Sequence, residues 1–317
     1  MHTPPAPAPD TRDAAGRLVA SAVFPASWPG HDARRVAIGA GEHVRVVRRA
    51  VAGDAAAHDR RPPPTVCLHG WGASAYAYRH ILGPLAASGV EAHAPDLRGH
   101  GWSDKPLAPA AYTPDALAGW TLRLLDALAL DRVLLVGHSL GGAIALHTTR
   151  QAPDRVAALV LLAPLGLDTV ERIEQIRRLT PSAIDAWLPR VAGVRALTAL
   201  ALHTAYGRIG RPTARDVDEY WAPTADPAFA RAARLILHAD PWAAFAPDAL
   251  AGIPQPTEVV AGARDNLLRA DALRRLTGAL PRGAFDLVPD AGHVLAEEVP
   301  GRVLAAVARA GAAVARA

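Results

Sequence analysis

Three side chains have the types and the order that acyl transfer requires. The first is Ser139, inside Gly137-His138-Ser139-Leu140-Gly141, which joins the apolar run Arg132–Val136 to the small-residue helical stretch Gly142–Thr149. A serine hydroxyl is a weak nucleophile, so it must be exposed on a tight strand-to-helix turn beside a base. Glycines at both ends keep side chains from crowding so sharp a turn. The second is Asp265, in the loop past the strand-like Pro256–Ala261, and the third is His293, which follows the strand-like Ala284–Val288. An imidazole, with an ordinary pKa of about 6.5, is mostly neutral at pH 7 and can take the hydroxyl proton. A carboxylate behind it fixes the tautomer and stabilises the imidazolium that forms.

Two further motifs accompany these residues. His69-Gly70-Trp71-Gly72 follows the strand-like Thr65–His69, and Asp96-Leu97-Arg98-Gly99-His100-Gly101-Trp102-Ser103-Asp104 follows Glu91–Pro95. Together with the Ser139 turn, Gly262-x-x-Asp265 and Gly292-His293, in this order, the chain resembles the α/β-hydrolase superfamily, in its esterase and epoxide-hydrolase-like branch. The resemblance implies an α/β fold with a mostly parallel central sheet, helices on both faces and an inserted helical cap. It implies a Ser139, Asp265, His293 triad, and an oxyanion hole made by the backbone N–H groups of Trp71 and Leu140. Leu140 opens a helix, where free N–H groups and the dipole favour negative charge. The indole of Trp71 is expected in a pocket wall.

Dehalogenases and epoxide hydrolases of this fold carry Asp at the elbow, where this chain has Ser139. The expected reaction is therefore hydrolysis of a carboxylic ester of small-to-medium apolar groups through an acyl-enzyme. No organic cofactor and no metal is implied. Lactonases, carbon–carbon bond hydrolases, perhydrolases and acyltransferases share the triad, and some relatives keep it as small-molecule receptors, so those readings stay open.

The other candidates have plainer roles. His138 adjoins the nucleophile but points elsewhere at a sharp elbow, and reads as a packing or hydrogen-bonding residue. His69 and His100 sit in glycine-flanked turns and read as structural. Ser74 and Ser103 lack elbow glycines, and Asp290 is a turn former before it is a rival acid.

The elements that must position these groups follow from patterning. Val36–Ile38 and His43–Ala50 read as an opening hairpin. Strands at Thr65–His69, Glu91–Pro95, Arg132–Val136 and Val156–Leu162 then alternate with helices, which argues for a parallel sheet covered on both sides. Thr113 followed by Pro114 starts a helix with Leu117, Leu124, Leu125 and Leu128 at helical spacing. After Leu162 no strand signal returns until Thr257, too long a gap for a loop. Amphipathic segments fill it near Thr169–Leu179, Ser182–Ala205, Thr213–Trp221 and Pro227–His238. The division expected is a disordered Pro/Ala-rich tail at 1–16, a core at 17–166 and 252–317, and a helical cap at 167–251 that excludes water and shapes the pocket. Within the cap, Tyr206, Tyr220, Trp221 and Trp242 are core or pocket lining.

Composition excludes several classes. The charge of +4 over 317 residues is almost all arginine, Lys105 being the only lysine, and the arginines are scattered. That argues against a nucleic-acid partner. Cys67 is the sole cysteine, so no internal disulfide forms. The first residues lack the basic start and apolar stretch of a signal peptide, and no stretch is apolar enough to span a membrane. The expectation is a cytoplasmic monomer or homodimer whose partner is a small-molecule substrate.

Overall fold

Buried apolar runs set the frame. The computed structural model describes residues 11–26, 28–51, 62–166, 171–239, 245 and 247–316. Eight strands form one sheet: β1 (Asp32–Ala37), β2 (His43–Arg49), β3 (Thr65–Leu68), β4 (Ala92–Pro95), β5 (Val133–His138), β6 (Val156–Leu162), β7 (Thr257–Gly262) and β8 (Gly283–Val288), in the order β1-β2-β4-β3-β5-β6-β7-β8. β2 pairs antiparallel with β1 and β4, and every other pairing is parallel. The central strands β5 and β6 are buried along their whole length, as a sheet covered on both faces requires.

The helices fall into two groups. In the sheet-bearing part, α1 (Arg79–Ala87), α2 (Pro114–Ala127) and α3 (Leu140–Gln151) precede β6. Between β6 and β7 lie α4 (Glu171–Leu179), α5 (Leu188–Ala192), α6 (Arg195–Ala205), α7 (Ala214–Trp221), α8 (Ala228–His238) and α9 (Pro247–Ala251). The chain closes with α10 (Ala270–Gly278), α11 (Leu295–Glu298) and α12 (Pro300–Ala315). α2 and α3 pack together on the sheet, as do α1 and α12. α2 starts as read: the Thr113 hydroxyl accepts the Ala116 N–H at 3.2 Å, and Leu117, Trp120, Leu124 and Leu125 are buried. Each such side chain contributes about 1.5–3 kcal/mol on burial.

The structure departs from the sequence reading in three places. β1 begins at Asp32 rather than Val36, because its outer residues, Arg34 and Arg35 among them, are exposed and carry no apolar signal. The amphipathic segment read over Ser182–Ala205 is a 3-10 turn followed by α5 and α6, broken where Val194 turns to extended backbone. The tail was expected to reach residue 16, yet Arg12 bridges to Leu18 and pairs with Asp218 of α7 at 2.7 Å. Residues 1–10 lie outside the described residues. The apolar stretch after the turn packs Leu18, Ala22 and Val23 against Ala222, and the Phe24 N–H meets the Glu219 carboxylate at 3.0 and 3.1 Å. The N-terminal segment therefore braces the β6–β7 insertion.

Candidate active site

Ser139 sits between β5 and α3 with φ +52°, a conformation rare for a residue with a side chain. The turn is held because the Ser139 N–H reaches Leu162 O at 3.0 Å and its carbonyl accepts from Gly142, Ala143 and Leu165. A Cβ on Gly137 would lie 2.5 Å from Gly141 O, and one on Gly141 would lie 2.0 Å from Leu68 O. Side chains at those places are sterically excluded, as the pentapeptide pattern required. The strand exit from β3 passes alongside, so that a Cβ on Gly70 would meet Ser139 Cβ at 3.3 Å. This sets the next residue, Trp71, beside the elbow. Neither its N–H nor that of Leu140, the first residue of α3, has an acceptor among the described residues.

His293 and Asp265 are brought together from the ends of β8 and β7. Nδ1 of His293 donates to Asp265 Oδ2 at 2.7 Å, with the carboxylate wholly buried. The other carboxylate oxygen accepts the N–H groups of Leu267 and Leu268 at 2.7 and 2.9 Å. Burial works against the charge on Asp265, but the His293 contact and the two backbone donors outweigh it and hold the carboxyl below its usual range. His293 lies against the elbow, its ring 4.7 Å from that of His138.

His138 has a definite task. Its Nε2 donates to the His293 carbonyl at 2.8 Å, and burial, with the His293 charge beside it, pushes its pKa down to about 3. A neutral ring therefore ties the Ser139 turn to the histidine loop. His69 is also buried, donating from Nδ1 to Gly70 O and accepting the Leu97 N–H on Nε2, and burial lowers its pKa. It fastens the Trp71 loop to the turn after β4. Ser103 donates to Asp96 O, Ser74 caps a short helix, and the Asp290 side chain is exposed, so none competes for the chemistry.

Sequence reasoning missed what holds His293 from the other side. Glu298 accepts the Gly292 N–H on one oxygen and the Gly207 N–H on the other, each at 2.8 Å. The His293 N–H donates to Ala205 O and the Arg208 N–H to Asp290 O, each at 2.7 Å. The α6–α7 linker and the histidine loop thus touch backbone to backbone: a Cβ on Gly292 would lie 2.4 Å from Gly207 N. Beside them Arg79 of α1 pairs with Glu297 at 2.7 Å and Asp216 of α7 at 2.8 Å. Tyr206 and Tyr220 bond Glu297, and Tyr76 bonds Asp216. The sequence holds only a lone arginine opening the apolar α1 and a pair of glutamates just after His293.

The aromatics of the insertion sort accordingly. Tyr206 and Trp221 are buried, Trp221 donating to Gly193 O at 2.9 Å, and Trp242 lies outside the described residues. The Trp71 indole is 44% exposed and donates to Ala233 O of α8 at 2.8 Å, which ties the loop after β3 to the insertion. Among the described residues no group of His, Cys, Asp and Glu could hold a metal ion, and no helix is long and apolar enough to cross a membrane. Cys67 is buried, which pushes its thiol pKa up.

A strand order of this kind, a serine elbow after β5, and a carboxylate and a histidine after β7 and β8 define a class. The chain belongs to the alpha/beta hydrolase fold family, whose model matches residues 63–300. Epoxide hydrolase 2 of Siraitia grosvenorii is 44% identical over 101 residues, 32% of each chain, so the match spans about a third of that protein's length. A haloalkane dehalogenase of Mycolicibacterium paratuberculosis is 31% identical over 229 residues, 68% of this chain and 73% of that one. The crystal structure of carboxylesterase CesB from Bacillus subtilis superposes with a TM-score of 0.71 at 18% identity, covering 89% of this chain and 92% of that one. The chain therefore has the α/β-hydrolase fold and is similar in sequence to an epoxide hydrolase and a haloalkane dehalogenase and in fold to a carboxylesterase.

Proposed function

We propose that the protein is a serine hydrolase that cleaves carboxylic esters of small-to-medium apolar groups. The observation that carries this reading is the 2.7 Å bond from His293 Nδ1 to Asp265, which leaves Nε2 as the free basic nitrogen of a ring 4.7 Å from that of His138, the residue before Ser139 on its strained turn. Ser139 Oγ attacks the ester carbonyl carbon while Nε2 takes its proton. The oxyanion is met by the N–H groups of Leu140 and Trp71; donors of this kind are each worth about 10²–10³ in rate. Collapse expels the alcohol, which takes the proton from Nε2. Water then attacks the acyl-enzyme by the same route and releases the acid. Residues 167–251 act as a cap over this site.

The similarity to an epoxide hydrolase and a haloalkane dehalogenase raises a second reading, attack on a saturated carbon. Chemistry separates the two. A carboxylate nucleophile would give an ester that water can hydrolyse, whereas Ser139 would give an ether with no electrophilic carbonyl, and turnover would stop. The test is fluorophosphonate labelling with peptide mapping, alongside a p-nitrophenyl ester chain-length series. The expected result is label on Ser139, turnover of short and medium esters, and loss of both in Ser139→Ala. Label elsewhere, or appreciable turnover by Ser139→Ala, overturns the assignment.

A further inference from the structure

α6 is apolar on two faces. Its inner side buries Leu202 beside Val217 and Val294, with Ala199 and Ala205 against them. Its outer side leaves Leu197 and Leu200 46% and 61% exposed. A helix hydrophobic all round is stable only where something covers the second face. The exposure extends back along the chain through Val194, Val191 and Trp187, the last 63% exposed, to Leu179 at 76%. Exposed large apolar side chains in such numbers mark a contact surface.

The charges along this stretch that lack an ion-pair partner among the described residues are positive. Between residues 175 and 212 the only acid is Asp185, and Arg234 already holds its carboxylate at 2.5 and 3.0 Å. Arg178, Arg190, Arg208 and Arg211 are exposed, and among the described residues none pairs with a carboxylate. Arg190 lies over the Trp187 ring at 5.2 Å, and Arg211 bonds only the carbonyls of Gly207 and Gly210. A second copy meeting this face across a two-fold axis would set these arginines against each other. An anionic bilayer surface suits both features: leucines and the indole enter the boundary between headgroups and chains, and guanidinium groups pair with lipid phosphates.

We propose that the outer face of residues 179–200, with the arginines beside it, docks the protein on an anionic phospholipid surface. Trp187, Leu197 and Leu200 insert, and Arg178 and Arg190 bind headgroup phosphates. α6 ends at Ala205, whose carbonyl holds the His293 N–H, so the docked surface lies on the helix that abuts the candidate base. Docking is independent of the reaction assigned to Ser139, and its test reads binding alone.

The experiment is co-sedimentation of the full chain with vesicles of equal parts phosphatidylglycerol and phosphatidylcholine, against vesicles of phosphatidylcholine only, at low and high salt. Binding is expected to the anionic vesicles, weakened by salt and by roughly fivefold for each of Arg178→Gln and Arg190→Gln. The double variant Leu197→Gln, Leu200→Gln is expected to lose tenfold or more with an unchanged melting temperature, since both side chains are already exposed. Equal binding to both vesicle types, or undiminished binding by the variants, overturns the proposal. So does a concentration-dependent dimer in sedimentation velocity that the leucine double variant abolishes, which would give the face to a second copy.

Discussion

Asp265→Asn tests the proposed base more sharply than removal of the base itself, because the structure fixes how an amide must sit. One carboxylate oxygen accepts two backbone N–H groups, from Leu267 and Leu268, and the other accepts His293 Nδ1–H. An asparagine has two ways in. With its carbonyl toward Leu267 and Leu268, both backbone bonds survive, but its NH2 faces Nδ1. The histidine must then carry its proton on Nε2, where it cannot accept one from Ser139. With the amide flipped, the tautomer is right, but two buried N–H groups lose their acceptor at about 1–3 kcal/mol each. The first arrangement wins by about 2–6 kcal/mol, leaving the competent tautomer between about a thirtieth and about a twenty-five-thousandth of the population. The imidazolium also loses its buried counter-ion, so the fall in kcat is expected near 10³-fold, in line with the loss of about 10⁴ for the equivalent change in a serine protease triad. KM should move by less than about threefold, since Asp265 touches no substrate in this reading. The assay is p-nitrophenyl ester kinetics with near-ultraviolet circular dichroism as the fold control. A folded Asp265→Asn enzyme that keeps a tenth of kcat would refute the tautomer argument.

Glu298→Gln leaves a single side-chain oxygen, so only one of the Gly292 and Gly207 N–H groups keeps its acceptor. The expected result is a loss of about 1–3 kcal/mol of stability and a fall in kcat of about tenfold, read by thermal melting and steady-state kinetics; wild-type values in both would remove Glu298 from the support of His293. Gly141→Ala drives a Cβ to 2.0 Å from Leu68 O and should cost at least about 3 kcal/mol in urea unfolding. Gly311→Ala in α12, with open space around it, should instead gain about 0.5–1 kcal/mol. Stability should fall with acid below pH 6.5. Burial holds His69, His100 and His138 below the ordinary imidazole value, His138 at about 3. The unfolded chain therefore binds more protons than the fold across that window, and their contribution is complete above about pH 6.5 and lost as pH falls toward the folded values. His138 alone accounts for about 3 kcal/mol between pH 6.5 and 4.5, at about 1.4 kcal/mol per unit. Urea midpoints that stay level from pH 7 to 4.5 would contradict this.

The sheet was legible because its central strands are short apolar runs bounded by turn residues, and β6 matches its predicted bounds to the residue. β1 was half hidden, since an exposed edge strand carries arginines that look like loop. Ser139, Asp265 and His293 were legible for a different reason: each follows a strand, in a fixed order, inside a short motif. Glu298 and Arg79 were not. Their partners, Gly207 and Asp216, belong to the insertion, and a bond between segments so far apart in the chain leaves no periodicity or spacing to detect. The segment 11–26 was hidden likewise, its anchors being Asp218, Glu219 and Ala222.

Those long-range bonds bear on how a substrate can enter. Lifting the α6–α7 linker away from the histidine loop breaks the His293 N–H to Ala205 bond, the Arg208 N–H to Asp290 bond, and the Gly207 N–H to Glu298 bond. Two ordinary bonds at about 0.5–1.5 kcal/mol and one to a carboxylate at about 1.5–3 sum to about 3–6 kcal/mol, before the Arg79 cluster is disturbed. An opening along that seam is populated at only about one part in 10²–10⁴. It would also release the candidate base from its backbone tether. The Trp71 indole bond to Ala233 fastens α8 to the loop after β3 in the same way. Entry by swinging the insertion about this seam would therefore undo the proposed catalytic geometry as it admits the substrate. The physical economy of the structure favours a route that leaves α6, α7 and α8 seated, and it makes the insertion part of the scaffold that holds His293.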